Sequence, residues 1–363
     1  MKVSVQIRLL PTRSQEEALA AALVACDEAA DLVSDLAWER RVFRRIDLQK
    51  AMYAEVKALG LSAQPAIHVI RKVADAYATG RKKKRRLRAG AAQPYDDRCL
   101  SWQYEARTVS IWTVKGRVKR LAYTGSAEQL AQVAAYRLGE SDLVCREGMW
   151  FLHVTCEVPE APLNREPDGF IGVDLGIVNI ATTGNGSRYA GKRLNRYRER
   201  QRRLRIRLQS KGTRSAKRLM RKRRCKERRT STHENHRIAK CIVAEAERTG
   251  RGIALEDLQD LRERVRLRKP QRVTLHSWSF HQLREFITYK ARRAGVVVVC
   301  VDPACTSRMC SWCGHCDKRN RLDQAAFECR SCGVVAHADR NAARNIAERG
   351  VSCWAAVGQP YAA

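Results

Sequence analysis

Three carboxylates stand where a folded chain has little structural need for them. Asp174 lies inside an apolar, β-branched run, Phe170-Ile-Gly-Val-Asp-Leu-Gly-Ile-Val-Asn-Ile-Ala-Thr182. A buried strand does not hold an ionised Asp unless a cation compensates it. Glu256 closes a second apolar run, Ile253-Ala-Leu-Glu-Asp-Leu258, and Asp339 stands at the opening of a helical stretch, Ala338-Asp-Arg-Asn-Ala-Ala343. A capped strand end would account for Asp174 alone. Three acids on separate elements, two of them on buried strands, instead suit a two-magnesium site for phosphodiester cleavage. Gly172 and Gly176 are expected to keep the backbone accessible beside Asp174.

A second constellation is more specific. Cys310-Ser-Trp-Cys313 and Cys329-Arg-Ser-Cys332 are two Cys-x2-Cys pairs with fifteen residues between them. Gly314 and Gly333 follow the second Cys of each pair, as in zinc knuckles, where a small residue lets backbone N–H groups approach the thiolates. Four thiolates give the closed tetrahedral set of one structural Zn²⁺. Cys305 and Cys316 are spare, and Cys316 lacks the following glycine. The other cysteines are scattered singly among 14 in all, which points to a reducing compartment rather than a disulfide framework.

The elements that must position these groups follow from periodicity. Val3, Val5, Ile7 and Leu9 alternate as in a half-buried strand that Pro11 ends. Ser14 with Glu17 reads as a capping box opening a helix to about Arg41. Shorter helices are expected at 47–58 and 64–79. Alternating strands return over 99–160, and Val114-Lys-Gly-Arg-Val118 looks like a hairpin. Trp102, Tyr104 and Trp112 could stack on bases, although aromatic strand positions more often belong to the core. Residues 159–167 read as a linker. Beyond it, an antiparallel ribbon at 171–190, helices, the Glu256 strand, an amphipathic helix from about Trp278 to Ala294 and a strand at 296–301 are what an RNase H-like α/β sheet would show.

Charge names the partner class. The 363 residues carry 70 Lys/Arg against 38 Asp/Glu, a formal net charge of +32, which points to a polyanion. An anionic membrane surface is the weaker alternative to nucleic acid; no apolar run reaches the roughly 18 residues of a membrane span, and no membrane partner is expected. The N-terminus lacks a secretion signal, and a cytoplasmic, nucleoid-associated location follows as an expectation. Residues 192–229 hold 20 Lys/Arg and two acids. They read as an arm along a nucleic-acid backbone, with Arg202, Arg203, Arg205 and Arg207 as phosphate contacts. The run Arg81-Lys82-Lys83-Lys84 is a second phosphate candidate. Gln64, His68, Arg71 and Lys72 are candidates for reading a short duplex motif from the 64–79 helix, with phosphate contact as the alternative for Arg71 and Lys72.

The C-terminal motifs carry a family resemblance. Asp302-Pro-Ala-Cys-Thr306-Ser-Arg-Met-Cys310-Ser-Trp-Cys313-Gly314, then Cys329-x2-Cys332-Gly333, then Ala338-Asp339-x-Asn341-Ala-Ala-x-Asn345-Ile346 resemble the C-terminal signature of the TnpB family. These are transposon-encoded nucleases related to type V CRISPR effectors. Gly172-Val-Asp174-Leu-Gly176 and Leu255-Glu256-Asp257-Leu258 resemble its two other RuvC motifs, and Trp278-Ser-Phe280 and Tyr289-Lys-Ala291 the helix before its zinc ribbon. Cys305 departs from the aromatic common there, and a change in ribbon packing is expected from it. The resemblance covers about 170–350 by motif and 1–160 only in architecture.

The resemblance implies an RNA-guided DNA endonuclease whose guide RNA comes from the transposon end. Its double-stranded target would carry a short adjacent motif. Asp174 would bridge two Mg²⁺, with Glu256 and Asp339 each completing one shell. The implied fold is a RuvC-like, RNase H-like α/β nuclease domain (166–304 and 336–350) with an inserted zinc ribbon (305–335) and a tail at 351–363. Ahead of it would stand an antiparallel β-barrel (1–13 and 89–165) carrying a helical insertion (14–88). A compact type V CRISPR effector and a guided DNA-binding regulator without cleavage are the alternatives. Monomer and homodimer are not distinguished.

Overall fold

The computed structural model describes residues 1–223, 225–257 and 280–358. The expected helix start at Trp278 and the residues Leu258 and Ser279 lie outside them. The chain divides into two compact units, 1–159 and 160–363, with the break inside the expected linker.

The first unit is built on a seven-stranded antiparallel, barrel-like sheet. Its strands are β1 (Lys2–Leu10), β2 (Gln93–Tyr95), β3 (Leu100–Gln103), β4 (Thr108–Thr113), β5 (Gly116–Thr124), β6 (Arg137–Arg146) and β7 (Met149–Glu157), in the order β2-β6-β7-β1-β5-β4-β3. Alternation decides what is buried: Val5, Ile7 and Leu9 of β1 meet Leu121, Leu152 and Val154 in one core. Trp102 lies against that core and packs edge-on to Tyr123, 5.2 Å between ring centroids. A helix that the sequence reading did not anticipate, α4 (Ala127–Tyr136), joins β5 to β6 and starts with a Ser126/Gln129 capping box.

Three helices fill the insertion: α1 (Arg13–Glu39), α2 (Arg45–Ala58) and α3 (Ala63–Ala78). The N-cap of α1 is Thr12, reciprocally bonded with Gln15, two residues before the expected Ser14/Glu17 box. Their shared core includes Val33, Met52, Val69 and Tyr77.

The polar stripe on α3 is a correction. Gln64, His68, Arg71 and Lys72 recur at helical spacing, as an exposed recognition face would. In the fold they turn inward, toward the strand side of the unit. Gln64 Nε2 donates to Asp96 at 2.6 Å, and His68, 2% exposed, donates from Nδ1 to the Pro94 carbonyl at 3.0 Å. Arg71 makes a bidentate pair with Glu140, and the desolvated Lys72 ammonium lies 3.9 Å from Asp27. A polar face buried against polar partners has the same periodicity as a solvated one. His68→Ala should therefore cost about 1–3 kcal/mol of stability, through the unmet carbonyl and the lost packing. Denaturant titration checks this; an unchanged midpoint would return His68 to the surface.

The second unit holds the chemistry-bearing acids. Its sheet comprises β8 (Phe170–Asp174), β9 (Asn179–Thr183), β10 (Arg188–Ala190), β11 (Gly252–Glu256) and β12 (Val298–Val301), in the order β10-β9-β8-β11-β12. β8, β9 and β10 run antiparallel, and β11 is parallel to both β8 and β12. Between β10 and β11 lie α5 (Lys192–Lys211), α6 (Arg214–Arg223) and α7 (Lys226–Arg248). The basic arm is thus broken at Gly212, in the left-handed conformation with φ +63°. Helix α8 (Phe280–Arg293) precedes β12. A hairpin of β13 (Ala326–Glu328) and β14 (Val335–His337) leads into α9 (Ala338–Gly358).

The two faces of this sheet have different partners. Ile171, Val173, Ile253 and Leu255 face Ile238, Ile242, Leu283 and Ile287 of α7 and α8. Phe170 and Ala254 face α9 through Ile346, Cys353 and Trp354. The expected tail is therefore in large part the end of α9. Gly172 has a packing role rather than the expected access role. A Cβ there would stand 1.9 Å from the Ala343 carbonyl oxygen, so only glycine lets α9 lie this close to β8.

Candidate active site and thiolate cluster

Strand period places the acids. Phe170, Gly172 and Asp174 point to the α9 side of β8, and Ala254 and Glu256 point to the same side of β11. Val173 pairs with Leu255 in parallel register, so Asp174 and Glu256 end neighbouring strands side by side. Asp339 is the second residue of α9, where the helix N-terminus favours an anion. The three expected acids thus meet at the carboxyl ends of parallel strands, the usual position of sites in open α/β sheets.

The electrostatics are those of an anion cluster short of cation. Burial first, and then the Glu256 and Asp339 carboxylates, push Asp174 up from 3.8 to about 8. Burial also raises Glu256, against the opposing Thr306 hydrogen bond and Arg349. Such a site fits divalent cations: the donors are hard oxygens, and their mutual repulsion is what added positive charge relieves. Among the described residues, only the cysteine group discussed below draws all its ligand atoms within 4.8 Å of one another.

A pH dependence follows. Without divalent cation, the folded chain keeps the Asp174 proton up to about pH 8, whereas an unfolded Asp loses it near 3.8. The folded state then binds the extra proton between these values. The stability contributed is full below the lower value and is lost as pH rises toward about 8, by up to about 1.4 kcal/mol per pH unit. Asp174→Asn should remove that slope and melt above wild type at alkaline pH. Parallel melting curves of the two proteins against pH, in magnesium-free buffer, would contradict this.

Residues that the sequence reading did not single out orient the acids. Thr306 Oγ1 donates to Glu256 Oε1 at 2.5 Å, and Asn179 Nδ2 to Asp339 Oδ2 at 2.8 Å. Arg321 of the hairpin region lies 3.4 Å from Asp339 Oδ1. Thr306 and Asn179 lie within conspicuous motifs, but nothing in their spacing announces these roles. Arg321 is one cation among 70 Lys/Arg.

The thiolate cluster matches its spacing. The ligand sulfurs of Cys310, Cys313, Cys329 and Cys332 all lie within 4.8 Å of one another, a grouping compatible with one zinc ion. Each knuckle closes in the same way: the Gly314 N–H bonds to Cys310 O at 2.9 Å and the Gly333 N–H to Cys329 O at 3.0 Å. Both glycines have positive φ, +75° and +70°, and a Cβ on either would meet nothing within 4 Å. They serve the left-handed turn rather than a close approach, which corrects the expected reason. The N–H group of Cys332, then that of Ser331, points at Cys329 Sγ, and together with the neighbouring Cys313 and Cys332 thiols they pull its thiol down to about 6. Cys316 is exposed and outside the group, and Cys305 is exposed with φ +62°.

Ribbon and acid site are tied together. Asn345 Nδ2 donates to the Thr306 and Met309 carbonyls at 2.8 and 2.7 Å. Asn341 Nδ2 donates to the same Met309 carbonyl, and its Oδ1 accepts from Ser311 N. Both asparagines are buried on α9, one turn apart.

The nucleic-acid candidates fall into two groups. Arg202 and Arg203 pair with Glu199, and Arg205 with Glu227. Lys84 pairs with Asp35, and Arg81 lies 5.5 Å from the Phe43 ring centroid. Lys82, Lys83 and Arg207 are exposed. Exposed pairs of this kind add little stability and can yield to phosphate.

Residues 280–346 match the family described as "Cas12f1-like, TNB domain", and residues 153–259 match the one described as "Probable transposase". A Cas12f1 endodeoxyribonuclease of Sulfoacidibacillus thermotolerans is 46% identical over 114 residues, 31% of this chain and 26% of that protein. Another, of Syntrophomonas palmitatica, is 30% identical over 204 residues, 52% of this chain and 40% of that protein. A TnpB-like protein of Methanocaldococcus jannaschii is 36% identical over 112 residues, 31% of this chain and 40% of that protein. The chain thus spans 26 to 40% of the length of these relatives. In fold, a Cas12f1 chain from a cryo-EM complex with sgRNA and target DNA superposes with a TM-score of 0.59 at 15% identity, over 90% of this chain and 82% of that one. These matches bear out the resemblance to the TnpB family.

Proposed function

We propose that this chain, related to TnpB-like and Cas12f1 proteins through both its transposase-like and its TNB-like segments, is an RNA-guided DNA endonuclease of a bacterial insertion sequence. The observation that carries the reading is the convergence of Asp174, Glu256 and Asp339 on one side of the β8/β11 pair, with Asp174 pushed up to about 8 by burial and its two acidic neighbours. The strand order, an antiparallel ribbon extended by parallel strands, supports reading 166–304 and 336–350 as a RuvC-like, RNase H-like nuclease domain with the ribbon inserted. The barrel-like sheet and its helices would hold the guide scaffold and the motif-bearing duplex.

Asp174, Glu256 and Asp339 would together hold the magnesium ions. Bound magnesium supplies an activated water and charge neutralisation at the leaving oxygen. The chain's own groups set the geometry for this. Thr306 fixes Glu256 Oε1. Asn179 and Arg321 hold Asp339 from two sides. The ribbon would carry one Zn²⁺ as a rigid support for Thr306 and Arg321, with no reactive role.

Target sequence would be read by base pairing with a guide from the transposon end rather than by side chains. The short adjacent motif is left to the protein, but the α3 residues first considered for it are engaged inside the first unit. No helix among the described residues is long and apolar enough to cross a membrane. The identity to Cas12f1 proteins favours one second reading, a compact type V CRISPR effector with the same three acids. Sequencing the RNA that copurifies with the chain separates the two. A species ending in transposon-end sequence is expected, a repeat-derived RNA would install the second reading, and absence of a defined RNA would refute both.

A further inference from the structure

The arm residues already considered are partly neutralised by their own acids, while positive charge without such partners collects one to two helical turns earlier. Helices α5 and α7 line a cleft of about 1120 Å³. On α5, Arg193, Arg196, Tyr197 and Arg200 recur at i, i+3, i+4 and i+7 and so share one side of the helix. On α7, Thr230, His233, Glu234 and Arg237 repeat that spacing. The one acid in the cleft, Glu234, is already held by Arg237 at 2.6 Å. Among the described carboxylates, none forms an ion pair with Lys192, Arg193, Arg196 or Arg200. Tyr197 is half-buried, with the Arg200 guanidinium 5.6 Å from its ring centroid.

We propose that this cleft binds one strand of nucleic acid. Phosphates would lie on Arg193, Arg196 and Arg200, with Lys192 beside them, and a base would stack on Tyr197. Cations along one helix side and one planar ring are the elements of a single-strand groove. A half-open cleft of this volume accommodates a few nucleotides of one strand rather than a duplex. The inference rests on the proposed function for its partner class but concerns residues other than the three acids. Its test measures binding, so a chain that binds here yet never cleaves would refute the function and leave the cleft standing.

The full chain, zinc-loaded and freed of copurified RNA, is titrated in magnesium-free buffer. The probes are an oligoribonucleotide, an oligodeoxyribonucleotide of the same sequence, and the corresponding DNA duplex. Arg193→Gln/Arg196→Gln/Arg200→Gln should lower the slope of log affinity against log salt by about 2, from roughly 0.7 per single-strand contact. The corresponding triple Lys variant should keep the wild-type slope, which separates charge from folding. Tyr197→Ala should weaken binding roughly tenfold at every salt concentration, with the slope unchanged. Loss confined to RNA would identify the occupant as guide, and loss confined to the DNA strand as target; either supports the site. A wild-type slope in the triple Gln variant, wild-type affinity in the Tyr197 variant, or a loss larger for duplex than for both single strands would overturn it.

Discussion

Asp174→Ala is expected to lower magnesium-dependent DNA cleavage by roughly three orders of magnitude or more while leaving RNA and DNA affinity within about twofold. The size of the effect follows from the position. Asp174 is the acid whose own charge is most opposed by burial and by both other acids, so it is the group that would gain most from shared cation. No other acid among the described residues replaces it on that side of β8. Glu256→Ala and Asp339→Ala should act alike, and the double and triple variants should be no worse than the worst single one, because each removal disables one shared site. Affinity is spared because the acids oppose phosphate rather than attract it. Binding that falls in parallel with cleavage would show that Asp174 supports the fold instead.

The second large effect is on the ribbon. Cys313→Ser or Cys329→Ser should lose the zinc ion and with it the order of residues 305–337. This segment has little core of its own: Cys310, Phe327 and Cys329, with Val334 beside them and Ala338 of α9 against them. Apparent zinc binding in comparable small domains contributes about 10–16 kcal/mol of folding free energy, far more than such a core supplies. The consequence should reach the acids, since Thr306 and Arg321 both belong to this segment. Cleavage should therefore fall even though none of the three acids has changed. Cys316→Ser should keep both metal and activity. Zinc content by metal analysis and protease resistance of the ribbon are the readouts. Zinc retained in the Cys313 and Cys329 variants but lost in the Cys316 variant would mean that the ligand set is wrong.

What could be read in advance was what periodicity and spacing encode directly. The apolar runs put Asp174 and Glu256 on buried strands, although Asp174 reads as lying inside its run and β8 in fact ends at it, and the two Cys-x2-Cys pairs specified the thiolate cluster without regard to the rest of the fold. What could not be read depended on which neighbour each face meets. The α3 stripe of Gln64, His68, Arg71 and Lys72 has the same pattern whether it faces water or Asp96, Pro94 and Glu140. Gly172 looks like an opening beside Asp174, and only the approach of Ala343 on α9 shows that it is a packing position. Cys353 and Trp354 seemed to lie in a tail because no local signal says that α9 continues onto Phe170. Thr306 and Arg321 reach the acids across 50 and 18 residues of sequence, respectively, and no motif spacing encodes contacts at that range. Helix α4 was missed because its ten residues interrupt a stretch otherwise rich in strand formers.

The central claim is that the guide-bound protein cuts matched DNA through Asp174, Glu256 and Asp339. It is tested most directly with the wild-type ribonucleoprotein, as purified with its own RNA. The substrates are a library of duplexes containing the complement of that RNA's guide segment beside randomised flanks, and a control library lacking the complement. Magnesium is supplied or withheld, and the Asp174→Asn ribonucleoprotein runs in parallel. The account predicts cleavage only of matched duplexes, only with magnesium and only by wild type, with one short flanking sequence enriched among the cut molecules. Cleavage of matched duplexes by the Asp174→Asn ribonucleoprotein at the wild-type rate, or cleavage that ignores the match to the RNA, would contradict it.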